Sequence, residues 1–180
     1  MKVYQFIDVG QQQLISDKLY DFVINHTNVQ NKWGWNYINL PELRKHVPEL
    51  FDELGKIIDH PVEMVAILMF LPKTVGDKHV DHEPHKYRML WPIRNCEGSY
   101  TKFFDLNGNK LITKFGKQGE RYLAAHGSRP LIELASVELT KPMVFSPKIL
   151  HGVYTNPECD EPRLTATIGF GDYPLDKFLE

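Results

Sequence analysis

The chain has only two cysteines, Cys96 and Cys159, too few for a disulfide framework and not arranged as CxxC. They read as reduced thiols that pack like small hydrophobes. No run of Lys or Arg exceeds two residues, and 21 basic against 23 acidic side chains leave a formal charge of -2. A nucleic-acid backbone calls for a basic stripe, so no nucleic-acid partner is expected. Long apolar runs are missing too: nothing is long enough to span a bilayer, and "MKVYQFIDVGQQQ" has no apolar core of a secretion signal. These absences predict a cytoplasmic protein with no membrane partner. Repeats, low-complexity tracts and linkers are also lacking, which predicts a single domain over 1–180.

Twelve glycines and twelve prolines are scattered along the chain, a pattern of many turns and therefore many strands. Helical signals come first. In "LISDKLYDFVINHT" Ile15, Leu19, Phe22, Val23 and His26 follow helical spacing, and "LPELRKHVPELFDELGKIIDH" does the same, with a break at Pro48. Short extended pieces are read in "KVYQFI" and "WGWNY". From residue 62 the period changes. "VEMVAILMFLPK" is apolar on both faces, as in a strand buried between layers. "YRMLWPIRNC", "SYTKFFDL", "PLIELASVEL", "PMVFS", "ILHGVYT" and "PRLTATIGF" are further strand candidates, and Asn107-Gly108 in "DLNGNKL" predicts a hairpin. The expected fold is mainly β with N-terminal helices: a jelly roll over 62–170, with residues 1–60 as helical support.

The run "DKHVDHEPHKYRML" holds three of the eight histidines. On an extended chain His79 and Asp81 project to one face, where a histidine nitrogen and a carboxylate oxygen can share an ion. With a second histidine from another strand they would form a two-histidine, one-carboxylate facial site, which suits Fe(II) and leaves positions open. The pair alone is weak, since about one His-x-acid is expected by chance in such a composition. His79, His82 and His85 as a helical zinc site is disfavoured by Pro84 and by the absence of a nearby cysteine. Further on, His151 lies in an apolar strand, and Arg163 opens the strand after it. Burying Arg163 is costly unless an anion meets it, and its planar fork suits a carboxylate; Thr165, on the same face, could add a hydroxyl. The plain alternatives are a salt bridge from Arg163 to Asp160 or Glu161, or an exposed edge position for Arg163.

Taken together, "HVD", "YRMLWPIRNCEGSYTKFF" and "VFSPKILHGVYTNPECDEPRLTATIGF" resemble the Fe(II)/2-oxoglutarate-dependent dioxygenase superfamily. The closest look is to its aspartyl/asparaginyl and proline hydroxylase branch. The resemblance implies a double-stranded β-helix of the cupin-like kind. It implies His79, Asp81 and His151 as iron ligands and Arg163 as the partner of the distal 2-oxoglutarate carboxylate. Thr165 would be the accompanying hydroxyl, and Arg88, which opens a strand ending at Pro92, is a further candidate for cofactor binding. The implied cofactors are Fe(II), 2-oxoglutarate and O2, with a small-molecule or peptidyl substrate that is hydroxylated. Residues 107–137 are longer and more polar than the minimal family pattern, and no role is assigned to them. Two alternatives stay open: a jelly-roll binding module without turnover, and a metal enzyme that does not use 2-oxoglutarate. Trp33, Trp35, Tyr37, Trp91, Tyr100 and Phe103 are expected mainly as core, and His82 and His85 at a pocket mouth.

Overall fold

The computed structural model describes residues 2–27, 34–81, 88–115, 121–171, 173 and 175–179. A short strand β1 (Tyr4–Phe6) and helix α1 (Gln12–His26) are followed by β2 (Gly34–Tyr37), α2 (Leu40–His46) and α3 (Pro48–Gly55). Ten strands come next: β3 (Met64–Phe70), β4 (His79–Asp81), β5 (Arg88–Arg94), β6 (Tyr100–Asp105), β7 (Lys110–Phe115), β8 (Arg121–His126), β9 (Ile132–Glu138), β10 (Met143–Phe145), β11 (Leu150–Tyr154) and β12 (Arg163–Gly169).

The strands form two antiparallel sheets, ordered β1-β10-β5-β12-β3-β2 and β7-β8-β4-β11-β6-β9. Eight of them, β3 to β6 and β9 to β12, supply four neighbouring strands to each sheet. This is the double-stranded β-helix, a jelly roll backed by helices. The N-terminal third does more than support it, because β1 extends one edge of the first sheet through β10 and β2 extends the other through β3.

The helices form where the sequence repeats its apolar positions. Ile15, Leu19, Phe22 and Val23 of α1 are buried, as are Leu43 of α2 and Leu50, Phe51 and Leu54 of α3. Between α2 and α3 the chain breaks at Val47 (φ -133°), and Pro48 opens the next helix, where its missing N–H costs nothing. These helices cover one face of the first sheet, packing on Val65, Ile67, Met69, Met89, Trp91 and Ile168. The opposite face, carrying Leu68, Leu90, Met143 and Phe145, packs on Phe103 and Val137 of the second sheet. That double coverage explains why β3, β5 and β12 are apolar on both sides.

Pro92 sits inside β5, a central strand. The β5–β12 register shifts between Leu164 and Thr165, pairing Leu164 with Arg94 and Thr165 with Pro92. A bulge at this point accommodates a residue that has no ladder donor. The carbonyl of Pro92 accepts instead from Ser16 Oγ at 2.7 Å, and Ser16 Oγ accepts from Trp91 Nε1 at 3.0 Å.

The hairpin expected at Asn107-Gly108 is only half present. The tight turn exists, with Asn107 at φ 49°, Gly108 at φ 76° and Asn109 N–H donating to Leu106 O at 2.8 Å. The flanking strands do not pair with each other, because both edges of β6 are already taken by β11 and β9. β7 pairs with β8, and β8 pairs with β4, so this segment lengthens the second sheet at its β4 end.

Candidate metal and dicarboxylate site

Register brings the three expected ligands together. His79 of β4 stands directly opposite His151 of β11, and Asp81 follows His79 two residues on. One ligand-type atom from each of His79, Asp81 and His151 lies within 4.8 Å of the others, a group able to hold a metal ion. The imidazole centroids are 4.6 Å apart, and His79 Nε2 is 3.3 Å from Asp81 Oδ1.

Both imidazoles are held in the same way. His79 Nδ1 is 2.8 Å from the Asp77 carbonyl, and His151 Nδ1 is 2.8 Å from the Ile149 carbonyl. A carbonyl can only accept, so each ring donates from Nδ1 and turns its Nε2 toward the site. Such backbone anchoring is how ligand histidines are fixed in tautomer and direction. His151 is also wedged between Phe145 (centroids 5.1 Å, edge-on) and Phe103 (6.3 Å), while Tyr122 meets His79 edge-on at 5.7 Å.

The electrostatics favour one carboxylate and one neutral imidazole. Burial of Asp81 works against its charge, but the His79 hydrogen bond and the charges of His151, Arg88 and His79 bring its pKa down to about 2. Burial, then the neighbouring His79 charge, push His151 down to about 4, so it is neutral and ready to donate a lone pair. Burial also opposes the charge on His79, yet the hydrogen bond and charge of Asp81 raise its pKa overall.

Arg88 is buried and points inward, its Nε 3.2 Å from Asp81 Oδ2. Its guanidinium lies 4.4 Å over the ring of Trp35. In this structure Arg88 thus meets the acidic member of the triad rather than a distant part of the cavity.

Arg163 opens β12 on the same inner face as Thr165 and Thr167, while Leu164, Ala166 and Ile168 turn toward the helices. It is 2% exposed, and among the described residues its Nε and Nη2 have no hydrogen-bond partner. Asp160 binds Lys73 instead, at 3.2 Å, so the plain alternative of a salt bridge is not what forms. Among the described residues the thiol of Cys96 is the polar side chain recorded against Arg163. The Oγ1 of Thr165, 1% exposed, is likewise without a partner among the described residues. A buried guanidinium and a buried hydroxyl left open on one face could hold an anion.

Cys96 belongs to the apolar cluster between the sheets, whose Phe103 and Phe145 touch His151, so Arg163 and the triad share one interior. The pattern of residues could not signal Cys96 as a neighbour of Arg163, nor Tyr122 as a neighbour of His79. β8 is not among the strands expected from the sequence, although Tyr122, Ala124 and His126 alternate along it. Of the aromatics, Trp91 is core against the helices, Phe103 lies between the sheets, and Tyr100 and Tyr37 are exposed. Trp33, His82 and His85 lie outside the described residues. A groove of about 1030 Å³ beside α1 includes none of the triad, though Cys96, the neighbour of Arg163, is part of its lining.

No protein-family model and no curated protein sequence matches this chain. Solved structures do. The non-heme alpha ketoglutarate dependent epimerase SnoN from nogalamycin biosynthesis is similar at 12% identity, over 95% of this chain and 79% of that one, with a TM-score of 0.57. HygX from Streptomyces hygroscopicus, solved with nickel and 2-oxoglutarate bound, is 12% identical over 96% of this chain and 84% of its own, with a TM-score of 0.54. A prolyl-4-hydroxylase from Pseudomonas putida is 12% identical over 96% and 87% of the two chains, with a TM-score of 0.53. The likeness is one of fold. At such identity it says nothing of reaction or substrate. Among the described residues no helix is long and apolar enough to cross a membrane.

Proposed function

We propose that this protein is an Fe(II)- and 2-oxoglutarate-dependent oxygenase that hydroxylates an amino acid, a peptidyl residue or a small metabolite. The observation that carries the reading is Arg163: a buried cation with no carboxylate partner among the described residues, on the inner face of a jelly roll whose other sheet carries a His-Asp-His cluster. A metal-only site has no use for that cation. An Fe/2-oxoglutarate site needs it, because the cosubstrate has a second carboxylate to anchor.

In this reading His79 Nε2, Asp81 and His151 Nε2 hold the metal, and Arg163 with Thr165 takes the far carboxylate of 2-oxoglutarate. When bound, Fe(II) and 2-oxoglutarate supply an O2-driven oxidation that yields succinate and CO2 and delivers the other oxygen atom to the substrate. The chain's own contribution is positional. Arg163 fixes the orientation in which the cosubstrate enters, a role for which bidentate geometry is suited. Arg88 fixes the Asp81 carboxylate through its Oδ2, and the backbone carbonyls of Asp77 and Ile149 fix the two imidazoles. Phe103 and Phe145 keep water from His151. The fold neighbours that carry nickel or iron with 2-oxoglutarate support this choice of cofactors. Hydroxylation is the outcome we adopt, although an epimerase and a hydroxylase both occur among those neighbours.

The test is an anaerobic titration with Fe(II) and then 2-oxoglutarate, following the weak visible charge-transfer band of the chelated pair. The band should form with the parent protein and vanish in His151→Ala. In Arg163→Ala it should need at least tenfold more 2-oxoglutarate. No band at millimolar ligand would remove the oxygenase reading.

A further inference from the structure

The polar segment between β6 and β9, which the minimal fold does not need, adds two strands to the sheet that carries the ligand cluster. Residues directly opposite each other in an antiparallel pair point to the same face. Two rows therefore run outward from the site. His79 pairs with Ala124, and Ala124 with Ile112; Asp81 pairs with Tyr122, and Tyr122 with Lys114. Lys110, Ile112 and Lys114 alternate along β7 and so all lie on the face that His79 and Asp81 share. The Tyr122 ring already touches the His79 ring, and its hydroxyl donates to Asp77 Oδ2 at 2.9 Å.

This outer part of the face is not covered. Every residue of β7 is exposed, Ile112 at 36%, whereas the other face of β8 joins an apolar cluster through Leu123 and Ala125. Among the described residues, β7 and β8 add Lys110 and Lys114 to this face and no carboxylate; the Asp77 carboxylate beside it is bound by the Tyr122 hydroxyl. Among the described residues Lys110 and Lys114 have no ion pair, unlike Lys102 and Lys141, which bind Glu133 and Asp8.

We propose that the β7–β8 hairpin is the substrate shelf of this site and selects an anionic substrate with an apolar stem. Lys114 takes the carboxylate or phosphate, and Ile112 and the Tyr122 ring take the stem. The assignment rests on the oxygenase reading above. Two strand spacings separate Lys114 from Asp81, about 10 Å between backbones. The anionic group is thus held several bonds away from the carbon that faces the metal ligands, with Lys110 about 13 Å further along the strand. Lys114 and Ile112 are specificity residues, not catalytic ones.

The test uses protein loaded with Ni(II) and saturating 2-oxoglutarate, titrated with two matched pairs followed by ligand-observed NMR: hexanoate against hexanamide, and hexyl phosphate against hexanol. An anionic member should bind at least tenfold more tightly than its neutral partner, and the tighter of the two anions identifies the group selected. Lys114→Gln should erase most of that preference and Ile112→Asp should weaken both members. Neither exposed substitution should alter the Fe(II)/2-oxoglutarate band. No preference for anion over neutral partner in either pair overturns the shelf, as does a preference that survives Lys110→Gln/Lys114→Gln. A missing band in the parent overturns the oxygenase reading instead, so the two failures are distinct.

Discussion

A guanidinium held at 2% exposure, with two nitrogens unbonded among the described residues, is a debt in the folded chain. Burial pulls the Arg163 pKa below its ordinary value, against the weaker opposing influence of Cys96. A site kept for an absent anion stabilises the complex, not the empty protein. Arg163→Met should therefore make the ligand-free protein more stable, on the order of 1–3 kcal/mol, because it replaces an unpaired buried charge with an apolar side chain of similar length. The same variant should lose the extra thermal shift that 2-oxoglutarate gives to the metal-loaded parent. Urea unfolding and a thermal melt measure the two effects. A destabilised variant would mean that Arg163 has an anionic partner in the ligand-free protein after all. Arg88 differs in kind. Its contact with Asp81 and its stacking on Trp35 offset its burial within the protein itself.

At the scale of elements, α1 and β5 are tied by a polar contact inside an apolar interface. Ser16 Oγ both gives to Pro92 O and accepts from Trp91 Nε1, so one hydroxyl satisfies a carbonyl and an indole that are buried. Ser16→Ala leaves both without a partner and should cost about 1–3 kcal/mol. Gln13→Ala, on the exposed side of the same helix, should stay within about 0.5 kcal/mol. Chemical denaturation of the two variants makes the comparison, and equal effects would mean that the Ser16 contact carries no weight. The helix itself was legible in the chain because Ile15, Leu19, Phe22 and Val23 repeat with its period. β3 and β12 were legible as apolar runs too long and too β-branched for a turn. Pairing partners were not. Nothing local in "DLNGNKL" tells that β6 has no free edge, so a correct Asn-Gly turn led to a wrong hairpin. The site shows the same division. His79 and Asp81 could be matched from i, i+2 alternation and His151 and Arg163 from their order. The contacts of Arg88 with Asp81 and of Tyr122 with His79 depend on which strands neighbour β4 and β5, a property of topology.

At the scale of the whole molecule, two sheets that close on an ionisable cluster tie folding to pH. The sign follows from which state binds more protons. His151 has its pKa lowered from 6.5 to about 4 by burial and the His79 charge, so between these values the unfolded chain is protonated there and the folded chain is not. Stability falls as pH drops through that window. Asp81, lowered from 3.8 to about 2, adds a further loss over the lower window, where the unfolded carboxylate takes a proton that the folded one refuses. His79 works the other way: its pKa is raised, so its share is complete below the unfolded value and is lost as pH rises through the folded one. Metal-free protein should therefore be most stable near neutrality and lose roughly 3 kcal/mol between about pH 6.5 and pH 4 on account of His151. Urea unfolding across that range, on chelator-treated protein, gives the slope, and His151→Leu should flatten it because no proton is then refused. A parent whose stability is level from pH 6.5 to 4 would mean that His151 is not held neutral by the fold. The lone pair this site presents would then depend on the metal to expel the proton rather than on the packing of Phe103 and Phe145 around the ring.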